Sequence, residues 1–366
     1  MVSYGSPTIA SDLRVFDHEF GLPAARLTVV EPAGPVPAYD GSDPTRVSAA
    51  AETSLDVEWA HAVAPGAALL VVATPTFEGE GTSGFPEIVA AERTVIDRGM
   101  ADVINESFGA TEQTFPAPAA ILGMRGAEQD AAGRGVSMVA ASGDQGAGGL
   151  TRDARGVYPF PAVIWPASDP LVTAIGGTFV DLDGAGRRLE PDSVWQSPPG
   201  GGRLGASGGG LSTVFPRPAF QDAVASVVKG RRGIPDISLS AAYEGSVDVY
   251  DTAPGGARGW QLLYGTSEAA PLFSGMVAIA DQLAGRRLGE VDPLLYRLAA
   301  EHEPGIVDVT RGDNSLDFRS PAGAPVAVRG YPSAPGYDLA SGLGTAAAAL
   351  LVPELAGALT AGPSVD

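Results

Sequence analysis

The chain has 366 residues, 45% of them hydrophobic, which is enough to bury a large core, and a formal net charge of −20. That charge repels phosphate, so nucleic acid is excluded as an electrostatically steered partner. Cysteine is absent, which excludes disulfides, thiolate metal sites and a cysteine nucleophile.

In chain order, the first element is a helix over residues 7–20. Ser6 stands as its cap, Pro7 at its first position, and Ile9, Leu13, Phe16 and Phe20 recur at helical spacing. A short apolar strand, Leu27–Val30, precedes a Pro/Gly/Asp-rich loop, and a second helix runs over 47–63 to Pro65-Gly66. The pattern then alternates: strand 68–73, helix 87–98, strand 102–107, helix 118–132, strand 136–141. Apolar β-rich runs separated by helices of this length imply βαβ units and a parallel sheet. Residues 150–260 read as strand and loop, with Gly200–Gly210 the most flexible piece. A helix opens near Ser267 and runs to Gln282, and an Ala/Leu helix occupies 345–360. No repeat or linker divides the chain, so residues 1–366 are expected to form one α/β domain. No apolar run approaches the ~20 residues of a membrane span. No signal peptide is legible in Met1-Val-Ser-Tyr-Gly-Ser-Pro.

The acidity has two readings. It gives solubility, or it gives acid tolerance, because few basic groups leave little positive charge to repel itself once carboxylates protonate.

The sharpest local signal is Gly265-Thr266-Ser267-Glu268-Ala269-Ala270-Pro271, opening an apolar helix. A serine there sits at the positive end of the helix dipole, with backbone N–H groups pointing where an oxyanion would form. Without further context the same tripeptide is a helix cap. A serine nucleophile needs a base. The three histidines, His18, His61 and His302, lie in surroundings that read as structural. Glu52 and Asp56 are four apart on the second helix and project from one face among Ala49–Ala51, Leu55 and Trp59. Two close carboxylates can share a proton, which raises the pKa of one; the bland reading is a solvated acidic face. Asp144, in Ser142-Gly143-Asp144, follows an apolar strand directly. That places it at the carboxyl end of a parallel strand, where open α/β sheets build their sites.

Together these segments resemble the sedolisin family of serine-carboxyl peptidases, which share the subtilisin-like fold. Glu52-x-x-x-Asp56, Ser142-Gly143-Asp144 and Gly265-Thr266-Ser267-x-x-x-Pro271 match the family's motifs in order. Weaker matches include Gly208-Gly209-Gly210-Leu211-Ser212, Ile234-Pro235-Asp236 and Gly336-Tyr337-Asp338. The resemblance implies a subtilisin-like parallel sheet flanked by helices and an acid-acting peptidase. Ser267 would be its nucleophile, Glu52 its base, Asp56 the partner of Glu52, and Asp144 a donor in the oxyanion hole. It implies that Ser107, Phe108 and Gly109 bind substrate backbone, with Phe108 where the family commonly has tryptophan. It also implies a Ca²⁺ site from Asp308, Asp338 and the carbonyls of Val309, Ala334 and Gly336, with Ala334 where glycine is usual. Expected partners are protein or peptide substrates, without nucleic acid or membrane, for a secreted monomer. The family's propeptide and first core strand are expected upstream of Met1. The alternative is an inactive peptidase fold that binds peptide or protein. A histidine-dependent subtilisin has no Asp-His-Ser order to rest on.

Overall fold

The computed structural model describes residues 1–197, 205–319 and 325–358; residues 200–204 of the glycine-rich run lie outside them. Helix α1 (Ile9–Phe20) buries Ile9, Leu13 and Phe16 along one stripe. Its cap differs from the expected one: Thr8, not Ser6, precedes the first turn, and Pro7 lies outside the helix. Tyr4 and Gly5 both take positive φ, turning the chain after its first residues so that the helix starts later. Strand β2 (Arg26–Val30) is followed by α2 (Pro44–Val63), which starts ahead of the apolar pattern. The Asp43 carboxylate accepts from the Thr45 N–H (2.9 Å) and Pro44 fills the first position, so the start is capped locally.

Strand β3 (Ala68–Thr74), α3 (Phe85–Asp97) and β4 (Val103–Glu106) follow where the alternation put them. The single helix expected over 118–132 is broken into Pro118–Met124 and Gly126–Arg134. Arg125 at the break forks onto the buried carboxylate of Asp169 (2.8 and 2.7 Å). A bidentate ion pair here outweighs helical continuity.

Four strands pair in parallel in the order β4, Ser137–Ala141, Thr173–Phe179 and Ile237–Ser240. Thr345 extends the sheet in parallel against Ser238, and Ile306–Val307 closes its edge antiparallel. The helix Thr266–Ala284 buries Ala269, Ala270, Phe273, Val277 and Ala280 against this sheet and also packs on α2. A smaller parallel sheet holds β2, β3 and the two-residue β1 (Val2–Ser3), which pairs Val2 with Ala73 and Ser3 with Thr74. The Met1 ammonium donates to the Asn105 carbonyl of β4 (2.8 Å). Along Ala68–Val72, β3 instead faces β4 across a cavity of about 900 Å³. The interior is rich in carboxyls: Glu58, Glu92, Glu106 and Glu128 are all buried.

Candidate active site

Ser267 sits in the first turn of the helix Thr266–Ala284. Gly265 precedes it at φ 120°, and a Cβ there would lie 2.7 Å from Asp144 Oδ2, so only glycine fits. The Thr266 N–H and hydroxyl both donate to Asp144 Oδ1 (2.8 Å each), while its Oγ1 accepts from the Gly143 N–H (3.1 Å). Thr266 thereby ties the turn after Ala141 to the start of the helix. The Ser267 N–H has no acceptor among the described hydrogen bonds, as the first turn of a helix leaves it. On the far side of Asp144, Ser142 Oγ donates to the Gly208 carbonyl (2.7 Å) and the Gly208 N–H donates to Gly143 O (2.7 Å). A Cβ on Gly208 would lie 2.1 Å from Ser142 O, so that glycine is a close-approach position for the Asp144 loop.

Glu52 and Asp56 project from α2 toward Ser267. The Ser267 hydroxyl donates to the Ser107 carbonyl (3.2 Å) and opposes the rise of the Glu52 pKa, while Glu52 Oε1 is buried with no hydrogen-bond partner among the described residues. Asp56 Oδ1 accepts from Ser107 Oγ (2.5 Å) and Asn105 Nδ2 (3.0 Å). Burial pushes Asp56 up to about 6, opposed by the N-terminal ammonium and by these two donors. Burial, then the neighbouring Asp56 charge, drives Glu52 well above the usual carboxylate range, opposed by the Ser267 hydroxyl. Burial also raises Asp144, against the two bonds from Thr266. All three carboxyls therefore hold a proton more readily than free ones.

Glu52, Asp56 and Asp144 are thus brought around Ser267. Ser107 joins them through its side chain as well as its carbonyl. The backbone of Phe108 and Gly109 makes no described hydrogen bond, and the Phe108 ring packs on Phe85 (6.4 Å between centroids). The histidines lie elsewhere: buried His61 Nε2 pairs with Asp17 (3.2 Å) and meets the Pro23 carbonyl, while His18 and His302 are exposed. Sequence reasoning missed Thr266, Asn105 and Glu78. Thr266 lay inside a motif read for its serine. Glu78 lines the small cavity with Glu52 and Asp56, and burial pushes it up to about 7; its loop carries no periodicity to single it out.

Two of the expected calcium ligands, Asp308 and Asp338, are tied to one loop. The Ala334 N–H donates to Asp338 Oδ2 and the Gly336 N–H to Asp308 Oδ2 (2.9 Å each), so one short loop joins the two carboxylates. The carbonyls of Val309, Ala334 and Gly336 accept none of the described hydrogen bonds. Ala334 is not at positive φ, so its Cβ is accommodated. Two carboxylates with free carbonyls form a hard oxygen set that fits Ca²⁺. Among the described residues no group of three His, Cys, Asp or Glu gathers as a denser cage.

This is a peptidase-type fold with a serine–carboxyl constellation at the carboxyl ends of its strands. The chain belongs to the subtilase family, whose model matches residues 45–292, and within it to the sedolisin family. Kumamolisin from Bacillus sp. (strain MN-32) is 35% identical over 80% of this chain and 49% of that protein. Human tripeptidyl-peptidase 1 is 28% identical over 92% of this chain and 55% of that protein. The structure of Pseudomonas sedolisin, a serine-carboxyl proteinase complexed with two molecules of pseudo-iodotyrostatin, superposes with a TM-score of 0.80. It is 27% identical and covers 97% of this chain and 91% of that one. The chain spans about half the length of the curated relatives it matches.

Proposed function

We propose that the chain is an acid-acting serine-carboxyl peptidase that hydrolyses protein or peptide substrates through an acyl-enzyme on Ser267. The observation that carries this reading is the Ser267 hydroxyl placed between a helix start and the Glu52 carboxyl, with no histidine at hand. Ser267 Oγ attacks the scissile carbonyl while ionised Glu52 takes its proton, then returns it to the leaving amine. Asp56, anchored by Ser107 and Asn105, holds Glu52 and shares its proton. Asp144, protonated, donates to the oxyanion beside the Ser267 N–H. A carboxyl can donate only while neutral, so the upward shift of Asp144 serves this role in acid. The backbone of Phe108 and Gly109 pairs with substrate backbone next to Ser107.

Asp308, Asp338 and the carbonyls of Val309, Ala334 and Gly336 would hold Ca²⁺, which supplies a structural cross-link between two loops. We place the whole chain in one catalytic unit, acting as a secreted monomer. No described helix is long and apolar enough to cross a membrane.

The decisive experiment is covalent labelling at pH 4 with a peptide aldehyde or a fluorophosphonate. A single adduct on Ser267, lost in Glu52→Gln, is expected. An unlabelled protein that still binds peptides would establish the alternative, an inactive binding fold.

A further inference from the structure

The end of β4 serves two faces of the sheet. Side chains alternate along a strand. Asn105 and Ser107 share one face, where both donate to Asp56 (3.0 and 2.5 Å) and the Ser107 carbonyl accepts from the Ser267 hydroxyl. Glu106 lies between them and turns to the other face, toward α3 and the helix Gly126–Arg134, which pack on each other. There it meets Glu92 of α3 and Glu128 of the following helix. Glu92, Glu106 and Glu128 are 1%, 2% and 1% exposed. One oxygen of each, Glu92 Oε1, Glu106 Oε2 and Glu128 Oε2, is buried without a hydrogen-bond partner among the described residues.

A side-chain hydrogen bond joins Glu92 and Glu106, raising the second and lowering the first. Two carboxyl groups can bond directly only while one of them carries a proton. The arginines nearby are committed elsewhere: Arg93, Arg125 and Arg134 pair with Asp130, Asp169 and Asp97. The other charged groups that reach the cluster are the Met1 ammonium, which donates to the Asn105 carbonyl, and the negative Asp169. Burial, then the Glu92 charge, drives Glu106 and Glu128 well above the usual carboxylate range.

We propose that Glu92, Glu106 and Glu128 form a proton-held clamp that seats the end of β4, so that the position of Ser107 beside Ser267 depends on acid. For its effect on turnover this rests on the peptidase reading above. Glu106 is then a positioning residue, acting through Ser107. With a proton between Glu92 and Glu106 their bond holds; once it leaves, buried like charges face one another and push the strand end away. Each of the three binds its proton more tightly folded than unfolded. The clamp is therefore fullest below about pH 4 and is lost as pH rises through the raised values.

The first arm of the test uses the full chain in its Ser267→Ala form and needs no activity. From pH 5 to pH 8, amide protection over Val103–Glu106 and Ser137–Ala141, corrected for intrinsic exchange, should fall about tenfold or more. Glu106→Gln keeps a donor toward Glu92 with no proton to lose, and its protection should fall less than about threefold. Its melting temperature should drop at least about 5 °C less than the parent's over the same range. Glu58→Gln, whose carboxyl is buried against the Tyr250 N–H instead, should leave the loss at β4 as in the parent. With Ser267 restored, Glu106→Gln should retain at least about threefold more of its pH 4 kcat at pH 7 than the parent, with KM little changed. Glu92→Gln decides the matter if Glu106→Gln does not fold. Equal loss of protection in Glu106→Gln and its parent would overturn the inference. So would equal rescue by Glu58→Gln, or an active enzyme whose pH profile ignores Glu106→Gln. The expected exchange pattern in a chain without peptidase activity would uphold the clamp and count against Ser267 as nucleophile.

Discussion

The two flanks of Ser267 are built differently. Asp144 is held by the residue that precedes the nucleophile, through the N–H and hydroxyl of Thr266, and its loop is pinned from behind by Gly208. It stands on the continuously paired part of the sheet. Asp56 and Glu52 come from a helix, and Asp56 is anchored only through side chains that β4 and the residue after it carry. Beside them lies the cavity between β3 and β4. The Asp144 flank is thus set by residues adjacent in sequence to Ser267, while the Glu52 and Asp56 flank depends on how firmly β4 sits.

The largest effect should come from removing what both flanks serve. Ser267→Ala is expected to lower kcat by at least about 10³-fold without altering the melting temperature by more than a few degrees. Residual turnover near the parent's would remove Ser267 from the chemistry. Breaking one flank at a time should cost about 10²–10³-fold in kcat, for Asp144→Ala through the oxyanion and for Glu52→Gln through the base. In both, KM should move far less than kcat.

The comparison sharpens with Asn105→Ala and Ser107→Ala. Both donors oppose the upward shift of Asp56, so losing either should raise its pKa further. The alkaline limb expected from loss of the Asp56 proton should then move up, with kcat falling about tenfold. A limb that stays put would assign it to another group. A modest effect is expected from calcium: the melting temperature near neutral pH should rise with Ca²⁺ and fall with chelator, and Asp308→Ala should abolish the response.

Much of the site was legible because its parts sit in short, ordered motifs at element ends. Gly265-Thr266-Ser267 marks a helix start, Ser142-Gly143-Asp144 a strand end, and Glu52-x-x-x-Asp56 one face of a helix. What stayed hidden depends on distant partners. Nothing in the 118–132 pattern announces that Arg125 leaves the helix for Asp169. The turn that moved the α1 cap from Ser6 to Thr8 arises from backbone angles at Tyr4 and Gly5. Asn105 alternates with apolar neighbours as any strand residue would, and its bond to Asp56 is tertiary.

The buried carboxyls give the smallest and most general prediction. Burial raises Glu58 to about 9, and it also lifts Glu92, Glu106 and Glu128 above the usual range. Each binds its proton more tightly folded than unfolded. The stability they allow is fullest below about pH 4 and is lost as pH rises toward 9. Glu58→Gln should flatten that decline by a few degrees of melting temperature. Unfolding in mildly acidic solution is consequently a proton-releasing reaction. Its calorimetric heat will vary with the ionisation enthalpy of the buffer that takes up those protons, so scans in acetate and in histidine at one pH will count them.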